Sequence, residues 1–261
     1  MNTPVNTFKR NLGSRQQVGI FSTLNSSSLV ELFAGIGFDW ILLDTEHSPN
    51  EMADVIAQLR AMQLHGVSPV VRPAWSDMVL IKRLLDAGAQ TLLIPCIETA
   101  EEAAAAVSYT RYPPAGVRGV SGSSRAANYG QNRGYLTTAE DEICILVQIE
   151  TARGLGNLEA IAAVPGIDGV FIGPADLAAS LGHIGNSQHP DVQAAIDTAF
   201  AKLRQLGKPT GYLTVNESEA RARRAEGVDM LGVATDTSII NTGATQLLER
   251  LSCPLPVKEI A

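Results

Sequence analysis

CILVQIE (144–150) is a β-branched, apolar run that ends in a carboxylate, Glu150. Such a run reads as a strand buried on both faces, the habit of parallel sheets covered by helices. GVFIGPAD (169–176) repeats the pattern and ends in Asp176. Upstream, WILLDTEH (40–47) ends in Asp44, Glu46 and His47, and SPVVRP (68–73) carries Arg72 at its close. An acid at the end of a buried strand needs a partner or a job. Acids, a histidine and an arginine therefore gather at one end of several strands, where parallel barrels build their active sites.

Working outward, strand-like runs fall at 18–22, 39–44, 68–72, 91–95, 144–149, 168–172, 209–213 and 229–233. Helix-like stretches at 50–64, 76–87, 99–110, 152–163, 190–207 and 216–226 separate them, with Ser76-Asp77 and Gly88 as helix signals. Eight βα units predict a TIM (β/α)8 barrel, formed by residues 1–261 as one domain. An open doubly wound sheet is the alternative, but no GxGxxG follows the first strand. Two segments break the rhythm. Residues 111–136, rich in Gly, Ser, Arg and Pro, read as an extended βα loop over the barrel mouth, and 181–190 interrupts the helix after the sixth strand.

The bulk numbers agree. A chain of 261 residues, 45% hydrophobic and 18% charged, can bury a full core without disulfides. A net charge of −7 with no basic stripe argues against nucleic acid. Cys96, Cys144 and Cys253 lack metal-type spacing and read as structural thiols of a reducing compartment. The polar N-terminus has no apolar signal core, and no apolar run approaches the roughly 18 residues of a membrane span. The expected location is the cytoplasm.

Glu150 and Asp176 come from consecutive strands, so they could share one hard divalent cation whose free positions accept a chelating 2-oxo acid. Capping of the following helices is the competing account. The turn Gly173-Pro174-Ala175-Asp176 enters a helix whose amides would favour a carboxylate. Arg72 suits a carboxylate or polarised carbonyl oxygen, or else a salt bridge to Asp44 or Glu46. His47 is the candidate for proton transfer, whereas His65, His183 and His189 read as ordinary polar residues. None of Lys9, Lys82, Lys202, Lys208 and Lys258 ends a strand, which argues against Schiff-base chemistry.

FDWILLDTEHSPN (38–50), PVVRP (69–73), QTLLIPCIETAEEA (90–103), RYPPAGVRG (111–119), LVQIET (146–151) and IDGVFIGPADLAASLG (167–182) resemble the HpcH/HpaI aldolase family, in order and over nearly the whole chain. The resemblance implies a metal-dependent (class II) pyruvate aldolase using Mg²⁺, Mn²⁺ or Co²⁺, a lyase that cleaves a 4-hydroxy-2-oxo acid to pyruvate and an aldehyde. It implies Glu150 and Asp176 as metal ligands with Gln148 nearby, and Arg72 on the pyruvate keto oxygen. It pairs His47 with Asp86 for proton transfer and gives the pyruvate carboxylate to the amides around Gly173, Ala175 and Asp176. Family members assemble as hexamers with the last helix exchanged, here the stretch 237–252. They meet the aldehyde partly through the long loop, which here reads SGSSRAANYG (121–130) and leaves Arg125 as its cation. Phe21 stands where some relatives carry tryptophan. Other enolate chemistry at the same site, such as oxaloacetate decarboxylation, is the second reading, and a non-catalytic 2-oxo acid binding protein the third.

Overall fold

Residues 3–252 are described by the computed structural model of the chain. Among them, eight strands close in sequence order into one parallel barrel. They are β1 (Gln17–Ser22), β2 (Trp40–Asp44), β3 (Ser68–Arg72), β4 (Thr91–Ile94), β5 (Cys144–Ile149), β6 (Gly169–Ile172), β7 (Thr210–Leu213) and β8 (Met230–Thr235). All eight expected segments are strands, and β1 pairs with β8 to complete the ring. Cys253 and Lys258 lie outside the described residues.

Strand alternation sorts the apolar residues into two cores. Phe21, Trp40, Leu42, Val70, Leu93, Leu146, Phe171 and Met230 pack with one another inside the barrel. Their neighbours Ile41, Leu43, Val71, Ile145, Val147 and Ile149 face outward against the helices. Burial of each such side chain contributes about 1.5–3 kcal/mol. Trp40 is fully buried because Gly19 leaves it room: a Cβ on Gly19 would lie 2.2 Å from the indole. The short helix Thr7–Asn11 drops Phe8 into the same interior cluster, at the end where the strands begin. Gln17 donates to the Phe8 carbonyl there, at 3.2 Å.

The helices carry the caps their sequences announce. Asp77 accepts from Val79 and Leu80 amides, and Gly88 ends that helix at φ 102°. Thr99 and Glu102 form a capping box at the start of Ala100–Thr110. The expected helix over 152–163 is instead two, Ala152–Gly156 and Leu158–Ala162. Gly154 and Gly156 weaken its first half. A helix at Ser27–Ile36, absent from the expectation, is capped by Ser26 and ends at Gly37.

Residues 111–136 do not cover the mouth. They follow the helix Ala100–Thr110 and precede β5, so they form an αβ connection at the opposite end of the barrel. Ala126 N donates to Asp86 O there, and Lys9 reaches Ile143 O near the start of β5. Chain direction decides this: a parallel strand ends at the mouth, and the helix after it descends to the far end.

The final helix, Asp236–Ser252, buries only its first residue. Ile239, Ile240, Leu247, Leu248 and Leu251 are exposed along it. Among the described residues, no helix is long and apolar enough to cross a membrane.

Candidate active site

The inward positions of the strands turn from apolar to polar at the mouth. On β2 the series Trp40, Leu42 continues to Asp44 and Glu46, and on β5 Cys144, Leu146 continues to Gln148 and Glu150. Asp44 and Arg72 are register partners across β2 and β3. The Arg72 guanidinium, nearly buried, donates Nε and Nη2 to the two Asp44 oxygens, each at 2.8 Å. Its Nη1 stands 3.1 Å from Glu46 Oε2 and 3.5 Å from Gln148 Oε1. The salt-bridge account of Arg72 is therefore real, and it leaves the outer nitrogen facing the mouth. Burial alone would lower its pKa, but the Asp44 hydrogen bond and charge raise it, so the cation is permanent. The Phe21 ring lies 5.5 Å beneath it.

Glu150 is buried and held from two sides. Gln148 Nε2 donates to its Oε2, while the Cys96 amide at 2.9 Å and thiol at 3.2 Å converge on its Oε1. Cys96 sits just past β4 at φ 53°, a strained position for a residue with a Cβ. Burial, with the Glu150 charge next, pushes its thiol up to about 12, so the thiol keeps its proton to donate. The expectation of a purely structural thiol fits Cys144, which is buried within β5, but not Cys96.

Glu46 completes the group. Its carboxylate, Glu150 and the Cys96 sulfur place one ligand atom each within 4.8 Å of one another. Glu46 Oε2 is buried and has no hydrogen bond, since Arg72 Nη1 at 3.1 Å lies off the required line. Burial raises its carboxyl to about 7, against the pull of Arg72 and with the push of Glu150. A buried, unsatisfied acid oxygen among hard oxygen donors fits a divalent cation. Gly173 fits it as well: a Cβ there would stand 2.7 Å from Glu150 Oε2. Pro174, Ala175 and Asp176 open the helix Pro174–Ser180, and Asp176 is exposed at its first turn. Asp176 acts on Cys96 through its charge but stands outside the tight group formed by Glu46, Cys96 and Glu150.

His47 stands at the rim with its side chain 63% exposed, its Nε2 3.8 Å from Glu46 Oε2. The loop that carries it is pinned by Asn50 Nδ2 on Asp44 O at 2.8 Å and Thr45 Oγ1 on Arg72 O at 2.7 Å. Asp86 is not brought to His47. It lies near the C-terminal end of helix Met78–Ala87 and accepts from buried Arg118 at 2.8 Å. Arg125 is also at that far end, donating to Ala87 O at 2.7 Å beside a cavity of about 700 Å³ shared with Arg60 and Tyr129. Sequence reasoning missed Asp236, which joins β8 to the loop after β1. Its buried carboxylate accepts from Thr23 N, Thr23 Oγ1 and Leu24 N at 2.8–2.9 Å. Its position at the end of a strand-like run was the available signal.

A closed parallel barrel whose mouth sets a fixed guanidinium against buried carboxylates defines a β/α-barrel enzyme. Residues 17–242 match the model of the HpcH/HpaI aldolase/citrate lyase family, and the chain belongs to that family. It is 51% identical to a pyruvate aldolase of Rhizobium etli, over 97% of this chain and 100% of the relative. It is 51% identical to a hydroxypyruvate/pyruvate aldolase of Sagittula stellata, over 94% and 97%. A 4-hydroxy-2-oxo-heptane-1,7-dioate aldolase of Klebsiella pneumoniae is 50% identical, over 95% and 94%. An HpcH/HpaI aldolase/citrate lyase family protein of Burkholderia cenocepacia superposes with a TM-score of 0.92 at 42% identity, over 95% of this chain and 99% of that one. The chain is accordingly an aldolase, a carbon–carbon lyase.

Proposed function

We propose that this chain reversibly cleaves a 4-hydroxy-2-oxo acid to pyruvate, or a related 2-oxo acid such as hydroxypyruvate, and an aldehyde. The observation that carries the reading is the Arg72 guanidinium, locked on Asp44 with one nitrogen aimed at Glu46, Gln148 and the mouth. Glu150 and Asp176 would hold a divalent cation (Mg²⁺, Mn²⁺ or Co²⁺), with Glu46 beside it. When bound, the ion supplies Lewis-acid polarisation of the 2-oxo group.

The remaining work falls to the chain. Backbone amides of Ala175 and Asp176, beside Gly173, receive the substrate carboxylate. Gln148 orients Glu150 and borders the 2-oxo group. Arg72 Nη1 faces the oxygen that gains charge as C3–C4 breaks, a preformed donor that needs no reorganisation. His47 moves the proton of the 4-hydroxyl through water, since its exposed ring reaches solvent directly. Asp86 tunes that histidine only if another chain brings it there, because within one chain it serves Arg118. Arg125, at the far end of its own barrel, meets the aldehyde on the same condition.

Assembly as a homo-oligomer, a hexamer by family resemblance, is supported by the apolar residues exposed on the last helix. The functional test is pyruvate release and aldol formation with an aldehyde panel, run with each cation and with EDTA. Metal-dependent hydrogen–deuterium exchange at the pyruvate methyl is the expected companion signal. A chain that turns over oxaloacetate but exchanges and condenses nothing would instead be a decarboxylase.

A further inference from the structure

Among the described residues, three hydrogen bonds reach the Glu150 carboxylate, and its two oxygens share them unequally. Oε1 accepts two, from the Cys96 amide at 2.9 Å and the Cys96 thiol at 3.2 Å. Oε2 accepts one, from Gln148 Nε2. An ionised carboxylate has about four lone-pair sites, divided evenly between its oxygens. Oε1 is therefore saturated, whereas Oε2 keeps a pair free. Oε2 is also the oxygen beside Gly173, where a Cβ would stand 2.7 Å away. The free pair thus lies on the atom that the absent Cβ leaves uncovered.

Both donors on Oε1 come from one residue in an uncommon conformation. Cys96 stands at φ 53°, in the left-handed region that residues with a Cβ seldom adopt. There its amide and its side chain reach the same oxygen. The next residue is tied to the strand that leads into Glu150, since Ile97 N donates to Gln148 O at 3.1 Å. That tie holds the Cys96 amide in place whatever the side chain. The thiol is the donor that residue type decides.

We propose that Cys96 is a positioning residue that restricts Glu150 to one ligating oxygen, Oε2, and so favours a small octahedral cation over Ca²⁺; this rests on reading Glu150 as a cation ligand. Octahedral Mg²⁺ and Mn²⁺ are satisfied by one oxygen from each carboxylate. Ca²⁺ takes about six to eight oxygens, often both of one carboxylate. A Glu150 whose Oε1 already accepts two hydrogen bonds serves the first arrangement and resists the second.

The test measures cation binding by the full chain, without turnover. Electron paramagnetic resonance follows Mn²⁺, and displacement of Mn²⁺ reports Mg²⁺ and Ca²⁺. Cys96→Ala frees a pair on Oε1 and shifts the Ca²⁺-to-Mg²⁺ affinity ratio towards Ca²⁺ by about tenfold, the lower end for losing a group that orients a metal ligand. Cys96→Ser, whose hydroxyl donates in place of the thiol, keeps the parent's ratio. Circular dichroism confirms the fold of each variant. An unchanged ratio in folded Cys96→Ala overturns the proposal and leaves Glu150 as a ligand, as does a Cys96→Ser ratio shifted as far as that of alanine. A sulfur-to-metal charge-transfer band when Co²⁺ is added to the parent also overturns it, because the sulfur would then be a ligand itself. Failure of the metal reading has a different signature: the parent takes up no Mn²⁺, or Glu150→Gln takes it up like the parent, and the proposal falls with that reading.

Discussion

Arg72 and Asp44 meet as a two-pronged pair, Nε and Nη2 each 2.8 Å from a carboxylate oxygen, directly across β3 and β2. Two parallel contacts fix the plane of the guanidinium as well as its position. Lysine cannot reproduce that plane. Arg72→Lys should therefore lower kcat/KM by about 10²-fold or more, the scale of losing one preorganised oxyanion donor. Steady-state pyruvate release checks this, with circular dichroism to confirm the fold. Near-parental turnover would mean that the pair is purely structural.

The proposed metal role gives a paired expectation. Glu150→Gln and Asp176→Asn should both fold and both lose activity, and EDTA should silence the parent chain reversibly. Glu150 is the more sensitive of the two to its surroundings, since Gln148 and Cys96 both donate to it and an amide would face one of them donor to donor. Normal turnover by either variant in chelator would end the metal assignment.

Gly173 tests the cradle without touching a charge. A methyl there would stand 2.7 Å from Glu150 Oε2 and 3.1 Å from Gln148 Nε2. Gly173→Ala should displace the Glu150 carboxylate and raise the concentration of Mg²⁺ or Mn²⁺ needed for half-maximal activity by roughly tenfold. Activation curves indistinguishable from the parent would show that Glu150 does not set cation affinity.

Asp236 secures the seam where the barrel closes. Its loss leaves two part-buried backbone amides, those of Thr23 and Leu24, without their charged acceptor. Asp236→Ala should cost roughly 3 kcal/mol, a fall of roughly 6–12 °C in Tm for a chain of this size. Thermal unfolding followed by circular dichroism measures it. A shift within 1–2 °C, about 0.5 kcal/mol or less, would mean the amides find other partners.

Much of the fold was legible because strand and helix periods are local. Each buried strand had to be written as an apolar run, and Asp77 and Gly88 mark helix ends through contacts a few residues away. Glu150, Asp176, Arg72 and His47 could be placed at the mouth because each ends a strand or follows one by at most four residues. Alternation by two then carries the inward face of β2 and β5 straight into the site. The 111–136 segment was misplaced for a related reason: its length was visible, but its attachment to a helix end rather than a strand end fixes which pole it covers.

What the sequence determined by itself was the set of strands, their order and the chemical types gathered at their ends, since these rest on period and chain direction. Tertiary structure alone decided the partners. Asp44 rather than solvent takes Arg72, Cys96 rather than a distant group holds Glu150, Arg118 claims Asp86, and His183 stacks on His189. Those contacts join residues from different elements or fix a ring's orientation. They depend on barrel closure, register and side-chain rotation, none of which a local pattern encodes.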